Sequence, residues 1–196
     1  LYLAGDAALP RDPAAALKWL TYAAELGNQF AQYRLGKLLL KGDDGIPKDV
    51  IAAIRWLTAA AKQENGYAEY ALALVYLTGE DAPKDSVKAL SLLKRSAGWG
   101  NQFAQYRLGK LLLQGEDAPK DVKAAIRWLT AAAEQGNQYA QYALGKLYLL
   151  GKEVPKDRSS AIKWFQLAAD QGNEYAQYFL EHMDDRLGQP PVAAVI

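Results

Sequence analysis

Few residues in this chain have the types and spacing that chemistry needs. There is one histidine, His182, no cysteine, and acidic pairs in three loops, Asp43-Asp44, Glu80-Asp81 and Glu116-Asp117. His182 with Asp184 or Asp185 supplies too few donors for a metal centre. Without cysteine, thiolate zinc sites and disulfides are excluded. None of the acidic pairs falls into the ligand spacing of a calcium loop. They are read instead as charge near the start of a following helix, where anions are favoured. There is no Ser/His/Asp grouping, phosphate-binding Gly-rich loop or H-E-x-x-H motif. The expectation is a non-enzymatic chain with no catalytic residue, no metal and no cofactor. His182 aligns with Lys37, Lys110 and Lys146 and is read as an exposed surface residue.

Binding chemistry is better represented. Lys18, Arg55, Ser91, Arg127 and Lys163 form one column of equivalent positions, with Tyr22 and Arg95 in a column four residues on. Spacings of three and four residues put such columns on one helical face. This face is expected to be a mildly basic groove for an acidic or carboxylate-ending peptide. Lys94, Arg95 and Trp99 form a second candidate, because Trp and Arg dominate interface hot spots. The candidate partner-binding set is therefore Lys18, Tyr22, Arg55, Lys94, Arg95, Trp99, Arg127 and Lys163. A net charge of +1 gives no electrostatic case for nucleic acid as the main partner. No apolar run approaches the roughly 18 residues of a membrane span. The compartment favoured on these grounds is the cytoplasm.

The columns are defined by a repeat. Pro recurs at 10, 47, 83, 119 and 155, a spacing of 37 and then 36 residues. Counting from each Pro, Asp recurs at +2, Ala at +6, +14 and +21, and Asn at +18. A fixed period of this size marks a solenoid. Five repeats are assigned: 10–46, 47–82, 83–118, 119–154 and 155–187. Residues 1–9 read as the end of a truncated earlier repeat and 188–196 as an extended tail. In each repeat the Asp caps a first helix (A), a Gly such as Gly136 ends it, and the next Asn caps a second helix (B). The short turn makes the two antiparallel. Trp19, Trp56, Trp128 and Trp164, all at +9, are expected to supply the bulk of the core.

The third repeat departs most, with Leu92 for Trp, Ser96 for Ala, and Trp99 where other copies carry Leu26, Gln63, Gln135 and Gln171. In the second, Glu64 replaces the turn Gly and Gly66 follows, which is read as a shifted turn. The last helix is expected to end at Leu187-Gly188. The apolar tail through Val195 and Ile196 is expected to pack on the last hairpin or to enter the groove of a second copy, a route to self-association.

The recurring pattern A-x-x-W-L-x-x-A-A-x-x-G-N-x-x-A-Q-Y-x-L-G-K-L-Y, followed by a Gly-acidic-x-Pro-Lys-Asp loop, resembles the Sel1-like repeat family, a relative of the tetratricopeptide repeat. The resemblance implies an all-α, right-handed α/α superhelical solenoid of antiparallel helix pairs, with A helices lining the concave side. It also implies a scaffold or adaptor that holds a protein or extended peptide. The phrasing GNQYAQY and EYAQYFLEHMD is similar to Sel1 regions attached to bacterial plasmid-mobilisation relaxases. That similarity implies, as an alternative, an accessory module of a DNA-mobilisation system.

Overall fold

Each expected Asp cap is made. In the computed structural model, which describes residues 12–42 and 45–183, the carboxylate of Asp12, Asp49, Asp85, Asp121 and Asp157 accepts from a first-turn amide at 2.9–3.0 Å. These caps open the A helices α1 (Pro13–Glu25), α3 (Val50–Ala61), α5 (Ser86–Gly98), α7 (Val122–Glu134) and α9 (Arg158–Ala169). The B helices are α2 (Gln29–Lys41), α4 (Gly66–Thr78), α6 (Gln102–Gln114), α8 (Gln138–Leu150) and α10 (Glu174–Glu181). Asn28, Asn65, Asn137 and Asn173 cap four of them by accepting from amides two or three residues on. The same Asp that caps helix A also holds the preceding loop. The N–H of Asp49, Asp85, Asp121 and Asp157 donates to Leu39, Tyr76, Leu112 and Tyr148 near the end of the previous B helix.

The chain divides into two compact units, Leu1–Asn101 and Gln102–Ile196. In the first, α1 packs on α2, α2 on α3, α3 on α4, and α4 on α5. In the second the same succession runs from α6 to α10. The described residues form helices and the turns between them.

The core is built from a different column than expected. Leu57, Leu93, Leu129 and Phe165, at +10, are fully buried, whereas Trp56, Trp128 and Trp164, at +9, are only partly so. Trp19 is 55% exposed. The physical reason is that helix A has two buried flanks. The +10 residue is enclosed between the preceding B helix and its own, as Phe165 is between Tyr142 and Phe179, and the +9 residue leans outward on the hairpin before it. Trp56 packs against the Ala24–Ala31–Leu35 cluster, Leu92 against the Leu57–Leu72 cluster, and Trp164 against the Leu129–Leu144 cluster. The tryptophans therefore seal one hairpin to the next. No described hairpin precedes α1 for Trp19 to lean on.

The +26 glycines let the B helix approach the next A helix. A Cβ at Gly145 would lie 2.6 Å from Phe165 Cδ1, and one at Gly36 would lie 2.6 Å from Leu57 Cγ. A leucine can change rotamer to make room, but a flat ring wedged among Tyr142, Phe179 and the backbone cannot. The second repeat already carries Ala73 in this column, with Leu93 in the facing column of α5. Gly145→Ala is expected to destabilise the second unit by about 2 kcal/mol, as overpacking does. Gly36→Ala should cost markedly less. Urea denaturation of both variants checks the order.

Three further expectations are corrected. The turn at Glu64 is not shifted. Glu64 itself takes the left-handed conformation, φ 64°, that Gly27, Gly136 and Gly172 take in the equivalent place. The turn bonds are also the same, with Glu64 N–H donating to Ala61 and Asn65 N–H to Ala60, as Gly136 and Asn137 donate to Ala133 and Ala132. Second, α10 ends at Glu181 rather than near Leu187, because the His182 backbone, at φ −106° and ψ 16°, leaves helical geometry. Third, His182 is half-buried rather than fully exposed. Its ring stacks on Tyr178 at 4.2 Å, and its Nδ1 lies 2.8 Å from the Tyr178 carbonyl. The tail residues Val195 and Ile196, with Asp184, Asp185, Asp43, Asp44 and residues 1–9, lie outside the described residues.

Candidate functional site

Polar side chains form an inter-repeat relay that the sequence reading missed. Gln63 Nε2 donates to Gln32 Oε1 at 2.8 Å, Gln135 to Gln105 at 2.7 Å, and Gln171 to Gln141 at 2.7 Å. The receiving glutamines pass the chain on: Gln32 and Gln141 donate to Ala24 and Ala133 at 3.0 Å. This satisfies buried amides and a helix-end carbonyl together, as burial requires.

One junction is built differently. The second repeat has Glu69 in place of the receiving glutamine, and the third has Trp99 in place of the donor. There Arg95 Nη2 lies 2.6 Å from Glu69 Oε1, and Ser96 Oγ donates to the Gly66 carbonyl at 2.6 Å. Glu69 has no exposed surface. The ion pair is a close charge contact without hydrogen-bond alignment, so neither Glu69 oxygen has a hydrogen-bond partner among the described residues. Burial pushes the Glu69 carboxyl above its ordinary range, Arg95 pulls it back down, and Glu64 adds to the rise. Gly66 fits the same set, since a Cβ there would meet Trp99 Cβ at 3.3 Å. The departures of the second and third repeats are thus one matched group. Of the Lys94–Arg95–Trp99 candidate, Arg95 is engaged with Glu69, Lys94 is exposed, and Trp99 stands half-exposed beside Phe30 and Tyr67.

The helix A columns are exposed. Lys18, Tyr22, Arg55, Arg127 and Lys163 all reach solvent. Arg55 lies 5.0 Å above the Trp56 ring and Lys163 5.7 Å above Trp164, which steers both cations along the helix surface. Tyr22 meets Trp19 edge-on at 6.3 Å. Two loop carboxylates are engaged elsewhere. Lys48 pairs with Asp81 at 2.5 Å and Lys120 with Glu153 at 2.7 Å, so these carboxylates tie successive loops together.

A second surface, on the B helices, is aromatic. Phe30, Tyr67, Phe103, Tyr139 and Tyr175 are exposed. Within each unit a +23 tyrosine of one B helix meets the +20 tyrosine of the next: Tyr33–Tyr67 at 5.9 Å, Tyr106–Tyr139 at 6.0 Å and Tyr142–Tyr175 at 6.1 Å. A cleft of about 270 Å³ opens beside this ladder, with Tyr106, Lys110, Tyr142 and Lys146 in its wall. Lys110 and Lys146 are half-buried, not fully exposed as their column suggests. Burial lowers the Lys110 ammonium pKa, with Arg107 and Lys146 adding to the fall, and burial raises the Tyr142 phenol.

Among the described residues no group of three or more His, Cys, Asp or Glu is placed to hold a metal ion. No described helix is long and apolar enough to cross a membrane.

Stacked A/B hairpins, sealed by +9 residues and joined by side-chain relays, define an α/α solenoid repeat protein. The chain belongs to the Sel1 repeat family, whose model matches residues 1–28, 29–65, 66–98, 102–137 and 138–173. It is similar to a solved Sel1 repeat protein from Oxalobacter formigenes, at 34% identity and TM-score 0.83, covering 93% of this chain and 53% of that one. It is also similar to c5321, described as a protective antigen of uropathogenic Escherichia coli with an SLR fold. That match has 35% identity and TM-score 0.82 and covers 87% of this chain and 36% of that one. The chain thus spans about half or less of the length of these two relatives. A Sel1 repeat protein from Klebsiella pneumoniae matches at 26% identity and TM-score 0.60, over 85% of this chain and 80% of that one. No curated protein matches the chain. Proteins built from Sel1 repeats generally mediate protein–protein interaction. None of these relatives is described as a relaxase, and the mobilisation alternative has no support.

Proposed function

We propose that this chain is a non-enzymatic scaffold that holds a partner protein by an extended acidic segment lying along the exposed face of its A helices. The observation behind this is the unequal fate of its charges. Asp81 and Glu153 are drawn into loop–loop ion pairs, while Lys18, Arg55, Arg127 and Lys163 stand exposed with no ion pair among the described residues. In each unit two such cations occupy equivalent places on successive A helices, a regular spacing that an extended chain can follow. Their helices are capped and close-packed, so little ordering is needed on binding.

The test is fluorescence anisotropy of a labelled peptide of alternating Glu and Gly, titrated with the chain and with its Arg127→Glu/Lys163→Glu variant. Two exposed attractions become two repulsions, so binding should weaken about tenfold and lose most of its salt dependence. Equal affinity of the two proteins would remove the helix A face from consideration.

A further inference from the structure

We propose that the cleft between α6 and α8 binds a carboxylate carried on an apolar body. The apolar part lies against Tyr106, Leu113 and Leu147, and the carboxylate sits on Lys110 and Lys146. This site is on the B helices of the second unit and does not depend on the helix A reading.

Size comes first. At about 270 Å³ the cleft lies just below the range, about 300–1,000 Å³, that encloses drug-sized ligands. It suits one or two apolar side chains or a short alkyl chain. Its wall is chiefly apolar, with Leu113, Ala143, Leu147 and Leu150.

Charge then selects the ligand. Lys110, Lys146 and Lys152 border the cleft, and none forms an ion pair among the described residues. The one acid on the lining, Glu153, is held by Lys120 at 2.7 Å. Two half-buried lysines share the cleft and its one carboxylate is already paired, an arrangement that a further anion would relieve. The buried Tyr142 hydroxyl, also on the lining, has no hydrogen-bond partner among the described residues. It can donate to a carboxylate oxygen. The equivalent place between α2 and α4 carries Lys37 and Leu74, one cation instead of two, so the pair of lysines is particular to the second unit.

Two sources offer this chemistry: a peptide ending in a free apolar residue, and a small aliphatic acid. The probes are fluorescein-Gly-Ser-Gly-Leu-Leu with a free C-terminus, the same peptide amidated, and octanoate as competitor. The free-acid peptide should bind saturably, with the amide and the Lys110→Gln/Lys146→Gln variant each about tenfold weaker, as expected for loss of a charge-assisted contact. Displacement by octanoate assigns the site to small acids, and resistance assigns it to peptide ends. Tyr142→Phe keeps the packing and should weaken binding two- to fivefold without lowering the melting temperature. Equal binding of acid and amide, an unaffected lysine variant, or no saturable binding by either the free-acid peptide or octanoate would overturn the proposal.

Discussion

Phe165→Ala is expected to destabilise the second unit by about 4 kcal/mol, the largest effect of any single truncation in that unit. Phe165 is fully buried, lies parallel to Phe179 at 5.2 Å and meets Tyr142 at 5.9 Å. Gly145 leaves no side chain to collapse into the space that truncation would open. Trp164→Ala removes a larger residue yet should cost only about 2 kcal/mol, because the indole is partly solvated and its loss leaves a groove open to water rather than a sealed void. The two variants also differ in kind. Phe165 holds α9 to its neighbours on both sides, whereas Trp164 seals its hairpin to the cluster around Leu129 and Leu144. Removing the seal should let the last hairpin open ahead of the rest and broaden the urea transition, as expected where stability is a sum of repeat and interface terms. Circular dichroism and tryptophan fluorescence, followed together through the titration, read both effects. A larger loss for Trp164→Ala than for Phe165→Ala would reverse the assignment of core and seam.

That contrast shows where the sequence speaks and where it stops. The period is legible because the same residue types recur every 36 or 37 positions, and the Asp and Asn caps and the antiparallel pairing because each depends on residues close together in the chain. The choice between +9 and +10 was not. Both positions lie in one amphipathic arc, and periodicity cannot say which of them is enclosed by B helices on both sides and which stays at the seam with the previous hairpin. Size alone points to Trp for the core, yet the position closed off from water carries Leu57, Leu93, Leu129 and Phe165. The glutamine relay was hidden for a related reason. Gln63 and Gln32 are 31 residues apart, Gln135 and Gln105 are 30 apart, and each alone reads as a surface amide. Their regular recurrence at +16 and +22 was the available signal. Lys110 and Lys146 look exposed by residue type, although Tyr106 and Tyr142 wall a recess beside them. The basic columns of helix A were found in the sequence, since exposure on an amphipathic helix follows directly from the pattern.

Arg95→Ala is expected to lower the stability of the first unit by about 2 kcal/mol at neutral pH. That is less than the 3–5 kcal/mol typical of a fully buried pair, because Arg95 is half-exposed and water screens part of its attraction. The loss falls on Glu69, which keeps its charge and its burial and loses its counter-ion. Glu69→Gln should act in the opposite direction, raising stability by about 1 kcal/mol, because the amide can donate to the Ala61 carbonyl as Gln32 and Gln141 donate to Ala24 and Ala133. Acid should remove both effects, by the following linkage. The Glu69 carboxyl has a folded-state pKa above its unfolded value, so protonation favours the folded chain. Its contribution is fully present below the ordinary carboxyl range and is lost as pH rises through the raised value. The gain from Glu69→Gln therefore appears only as pH climbs through that window and is largest at neutrality. The cost of Arg95→Ala shrinks as pH falls through it, because a neutral Glu69 no longer needs the cation. The double variant Glu69→Gln/Arg95→Ala should recover most of the stability that Arg95→Ala loses. Urea denaturation at neutral pH and below the ordinary carboxyl range, run on all three variants, makes the comparison. A cost of Arg95→Ala that stays constant with pH would show that the guanidinium acts by packing and not by its charge.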